Sequence, residues 1–79
     1  MCAYHFHCTN GGDIVADLRG AELHDVVAVR DHAAGTARDV LEIYPQSNPS
    51  DWLVTVQDCA GYQVAVLTFP ELLRGRAFA

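Results

Sequence analysis

Four residues of metal-binding type, Cys2, His5, His7 and Cys8, fall within seven positions near the start of the chain. Along an extended strand, side chains alternate between faces, so His5 and His7 project from one side and could share an ion. Cys2 and Cys8 project from the other side, and a four-ligand site cannot close around a single metal. Zinc sites usually draw on two separated ligand pairs or on a helix-borne motif, and no second pair follows. His5 and His7 are therefore the candidate metal ligands, but the pattern favours structural histidines and buried thiols over a metal centre. No cofactor is expected.

Other residues capable of chemistry lack the neighbours that chemistry needs. Cys59 sits beside Asp58, and a nearby carboxylate opposes the thiolate a nucleophile must form. Asp13 and Asp17 share a strand face, while Asp25, Asp31, Asp39 and Glu42 are spread along a helical stretch. Nothing suggests a pocket that would desolvate one acid of a pair and tune it for proton transfer. Gly11-Gly12 has no lysine and no helix N-terminus behind it, so it is not a phosphate loop. These absences argue against an enzyme.

The elements that would position these residues follow from hydrophobic spacing. Residues 2–8 alternate, with Tyr4, Phe6 and Cys8 on one face. Asn10-Gly11 then favours a hairpin turn, and Asp13–Asp17 reads as a second strand. Val26, Val29, Ala33, Ala37, Val40 and Tyr44 recur at steps of three and four. That spacing predicts a helix over Asp25–Tyr44, with Asp25 as N-cap and Pro45 beyond its end. His24, Ala28, Asp31, Gly35, Arg38, Asp39 and Glu42 fall on the side predicted to face water. Pro45–Ser50 reads as a loop with no apolar anchor. Trp52–Gln57 and Tyr62–Phe69 read as strands around an Asp58–Gly61 turn. Pro70 is expected to stop the last strand, Glu71–Arg74 to form a final helical turn, and residues 74–79 to fray.

The resulting order is β-β-α-β-β: two hairpins joined by a helix, in an α+β two-layer fold. One helix covers one face of a four-stranded, mainly antiparallel sheet. The open face is expected to carry His5, His7, Val15, Leu53, Thr55 and part of the last strand. Apolar residues on both faces of that strand suggest partner binding or self-association through the sheet.

The chain of 79 residues makes one domain, near the lower limit for a self-sufficient core. Ten acidic residues against five basic ones give a net charge of -5, which disfavours nucleic acid as a ligand. No stretch approaches the roughly 20 apolar residues of a membrane-spanning helix. The opening residues lack the charged and long apolar regions of a signal peptide. An odd number of cysteines, three, suits a reducing compartment, so the expected location is the cytoplasm.

Several short motifs recur in order: Tyr4-x-Phe6-His7, Asp17-x-x-Gly20-x-Glu22-Leu23, an alanine-rich helix, Trp52-x-Val54-x-Val56-x-Asp58-x-x-Gly61, and a closing strand to Phe69. In this the chain resembles a family of small bacterial proteins of unknown function. The resemblance covers nearly the whole chain, departs in the Pro45–Ser50 loop and in the cysteines, and implies the same architecture without an activity.

The functional expectation is a non-enzymatic acidic protein that occupies a basic surface of a protein or nucleoprotein partner. Its sharpest form is an inhibitor of the anti-CRISPR kind, which blocks an arginine- and lysine-lined channel. The outward helix residues Asp31, Arg38, Asp39 and Glu42 are the expected partner-binding surface. The alternatives are a structural or regulatory homodimer pairing through the sheet, and a small metal-binding protein using His5 and His7.

Overall fold

The structure, a computed structural model, describes residues 3–75. Five strands and two helices follow in the order β1 (Ala3–Thr9), β2 (Ile14–Val15), β3 (Ala21–Glu22), α1 (Val26–Ile43), β4 (Leu53–Gln57), β5 (Gln63–Thr68) and α2 (Phe69–Gly75). The sheet runs β2-β1-β4-β5, all antiparallel, with β3 pairing β1 beyond β2. The α+β architecture expected from the hydrophobic spacing is the observed one, with an added strand and a longer second helix.

The centre of the sheet is the β1–β4 pair, where Phe6 opposes Val56 and Cys8 opposes Val54. All four are buried and face the helices. Full burial of a side chain such as Phe6 contributes about 1.5–3 kcal/mol. Asn10 organises the first hairpin turn, its side-chain oxygen accepting from the amides of Gly12 and Asp13 at 2.9 and 2.6 Å.

The Asp25 carboxylate caps α1 by accepting from the Ala28 amide at 2.8 Å. Its inner surface is Ala33, Ala34, Ala37 and Val40, with Val29, Leu41 and Tyr44 packed at the margins. This differs from the predicted stripe: Ala34 and Leu41 turn inward, whereas Val26, at the N-terminal end, is 75 % exposed. The first turn of α1 instead borders a groove beside β5 that is open among the described residues. Val15 also departs from expectation. Its pairing with Cys8 places it on the core side, and Ile14 takes the outward position.

The loop after α1 is anchored through polar groups rather than apolar ones. The buried Trp52 indole N–H donates to Ser47 Oγ at 3.0 Å, and Ser47 Oγ donates to the Tyr44 carbonyl at 2.8 Å. Asn48 caps a short 3-10 turn at Pro49–Asp51. The Trp52 ring packs against both Tyr44 and Phe69, with centroids 5.2 and 5.6 Å away.

Phe69 does not end β5, as predicted, but begins α2. Thr68 and Glu71 form a reciprocal capping box: the Thr68 amide donates to Glu71 Oε1, and the Glu71 amide donates to Thr68 Oγ1. Pro70 therefore stands in the first turn of a helix, where its missing N–H costs nothing. Phe69 and Leu72 are buried, and α2 packs beside α1. Arg74 belongs to this helix rather than to a frayed tail. The expectations for Cys2 and for residues 76–79 lie outside the described residues. No helix among the described residues is long and apolar enough to cross a membrane.

Candidate functional site

The residues with the strongest chemical character converge on the outer edge of β1. β2 pairs the C-terminal end of β1 through Cys8 and Thr9, and β3 pairs its N-terminal end through Ala3 and Tyr4. Between them the chain leaves the edge and Asp17 takes its place. Asp17 Oδ2 accepts from the Phe6 amide at 3.0 Å, and Oδ1 accepts from the amides of Arg19 at 3.1 Å and Gly20 at 3.0 Å. The Asp17 amide in turn donates to His7 Nδ1 at 2.9 Å. One aspartate thus satisfies a strand amide and closes its own turn.

Partial burial alone would raise the Asp17 carboxyl. The amides of Gly20, Phe6 and Arg19, together with the nearby His5, outweigh that cost and hold it below the ordinary value of 3.8. Gly20 completes the unit. Its φ of +75° is a conformation that side chains disfavour, and a Cβ there would lie 2.9 Å from His5 Nε2 and 3.1 Å from the Tyr4 carbonyl.

This arrangement gives a physical account of the histidines. His5 and His7 do share a face, with rings stacked 6.2 Å apart at 11°. However, His7 Nδ1 is engaged by the Asp17 amide, and both Asp17 oxygens are engaged by other amides. Among the described residues no group of three His, Cys, Asp or Glu side chains is placed to hold a metal ion. Cys8 faces the core as a free buried thiol; burial, with the charge of Asp17, pushes it up to about 11. A thiol held protonated in this way is a poor ligand and nucleophile. Cys59 lies exposed in the β4–β5 turn.

The predicted partner-binding residues Asp31, Arg38, Asp39 and Glu42 are all exposed on α1. The burial of Ala33, Ala34, Ala37 and Val40 sets this outward orientation. These residues are not part of the Asp17 cluster. A third feature was not legible in the sequence: a groove of about 490 Å³ between the start of α1 and β5. Val26, Val29, Val64 and Leu67 give it apolar walls, and Asp25, Arg30 and Asp58 add charges of both signs.

Sequence reasoning missed Asp17 as an acceptor for three amides. The signal was an aspartate two and three residues ahead of amides it can reach, with glycine at the second.

No curated protein and no solved structure matches the chain. A match to a family described as a domain of unknown function (DUF6894) runs over residues 3–70, taking in both hairpins, α1 and the Asp17–Gly20 unit, and the chain belongs to that family.

Proposed function

We propose that this protein is a non-catalytic binding domain whose outer α1 surface engages a basic site on a partner protein. The supporting observation is the exposure of Asp31, Arg38, Asp39 and Glu42 along a helix whose opposite side is committed to the core. A rigid helix presents these charges at fixed separations, and a net charge of -5 would speed encounter with a cationic surface. The engagement of Asp17 and His7 by backbone amides, and the protonated state of Cys8, favour binding over catalysis.

The test is capture from an extract of the native host, comparing wild type with the Asp31→Lys, Asp39→Lys, Glu42→Lys variant at low and high ionic strength. The proposal expects basic proteins that the wild type retains at low salt and that the variant loses while still folded. Equal capture by both would refute it. The narrower form, an inhibitor of the anti-CRISPR kind, draws on the same size and charge and on no further observation. Failure to bind a nucleoprotein effector at low ionic strength would sink that form alone.

A further inference from the structure

The two outer edges of the sheet are treated differently. The β1 edge is occupied by β2, β3 and the Asp17 carboxylate. Among the described residues nothing pairs with the outer edge of β5. β5 reads Gln63-Val64-Ala65-Val66-Leu67-Thr68, with no charge and no proline, the devices that usually keep an edge strand from pairing. The register shift of the hairpin lies at its start, leaving Ala65–Thr68 regular.

The direction of the free groups can be fixed. The Phe69 amide donates to the Trp52 carbonyl, and the Thr68 amide is taken by Glu71. In an antiparallel ladder, residues alternate between bonding the neighbouring strand and pointing away from it. Phe69, Leu67 and Ala65 therefore bond inward, and the amide and carbonyl of Val66 point outward.

We propose that β5 pairs antiparallel with β5 of a second copy of this chain, about a two-fold axis at Val66, making one continuous sheet. At that register Val66 exchanges both backbone hydrogen bonds with its own counterpart. An uncharged strand meets itself without like charges opposed, which a charged partner strand would not improve. The same axis brings the start of the second copy's α2, on the helix side of the sheet, toward the groove beside Val26 and Val64. Those residues are 75 % and 52 % exposed. The groove carries Asp25, Arg30 and Asp58, and α2 carries Glu71 and Arg74, so both signs are present on each side. A second copy thus covers the free edge and the open groove together. It leaves the outer face of α1 in solvent, so the dimer stands independently of the acidic-surface proposal.

The test is sedimentation velocity over a dilution series, with Val66→Pro, Val66→Lys and Leu53→Lys as variants. The wild type should pass from monomer to a species of twice 8.6 kDa. Val66→Pro removes an outward amide without touching the β4 ladder, and by symmetry two hydrogen bonds. It should weaken the dimer about thirtyfold. Val66→Lys should abolish it while circular dichroism shows a native fold. Leu53, on the open face but away from the edge, should tolerate lysine without change. A wild type that stays monomeric to about 1 mM overturns the proposal. So does a dimer lost in Leu53→Lys and kept in Val66→Pro, which would indicate stacking of sheet faces. Association only with an extended segment of another protein would overturn it as well.

Discussion

The outer edges of β1 and β5 pose the same physical problem, a row of backbone groups with no strand beside them. On β1 the chain solves it internally with two strands of two residues each and one carboxylate between them. On β5 it supplies no such cover among the described residues. The difference teaches how to read the polar residues of this chain. Asp17, Gly20 and His7 look like parts of a reactive site, yet their contacts are those of an edge closure. The uncharged β5, which looks like ordinary core sequence, is the edge left able to bind.

This contrast can be broken from either side, and the largest effect is expected at Gly20. Gly20→Val places a branched side chain at φ +75°, against His5 and the Tyr4 carbonyl. It should cost about 3 kcal/mol in urea-induced unfolding. Asp17→Ala strands three amides that remain partly accessible to water, and a loss of about 2 kcal/mol is expected in the same measurement. It should also bare the Phe6 amide between β2 and β3, which stay paired with β1.

A subtler effect is the acid limb of stability. The folded Asp17 carboxyl lies below its unfolded value of 3.8, so its contribution is present above that value. It is lost as pH falls through the lower folded value. Asp17→Asn removes this titration, and its urea midpoint should fall less steeply with acid than that of the wild type. Thr68→Ala, at the end of β5, removes one arm of the capping box and should cost about 1 kcal/mol. Smallest of all, Val66→Lys should change monomer stability by no more than about 0.5 kcal/mol, because it alters only an uncovered edge. A large loss there would mean that β5 is not an open edge.

Much of the scaffold was legible because short-range rules govern it. Asp25 caps α1 where its side chain predicts, Pro45 lies just beyond the helix, and Trp52, Val54 and Val56 face inward by simple alternation. The capping box at Thr68-x-x-Glu71 was equally local and was overlooked because Pro70 reads first as a strand breaker. The candidate site was less legible. Nothing in Ala21-Glu22 signals a strand, since two residues pair with β1 only because Gly20 turns the chain back toward it. Val15 faces inward because its register with Cys8 is set by the turn, which alternation within β2 alone cannot supply.

By itself, then, the sequence determined the types of β1, α1, β4 and β5, the α+β class, the outward placement of Asp31, Asp39 and Glu42 on α1 and the central apolar strands, all of which follow from periodicity and local capping. Only the tertiary structure decided what Asp17 bonds, how far the core stripe of α1 extends, and which sheet edge has no neighbour among the described residues. Those outcomes depend on which distant backbone groups meet. Phe6 and Asp17 are eleven residues apart, and the hydrogen bond between them exists only once β1 has found its neighbours.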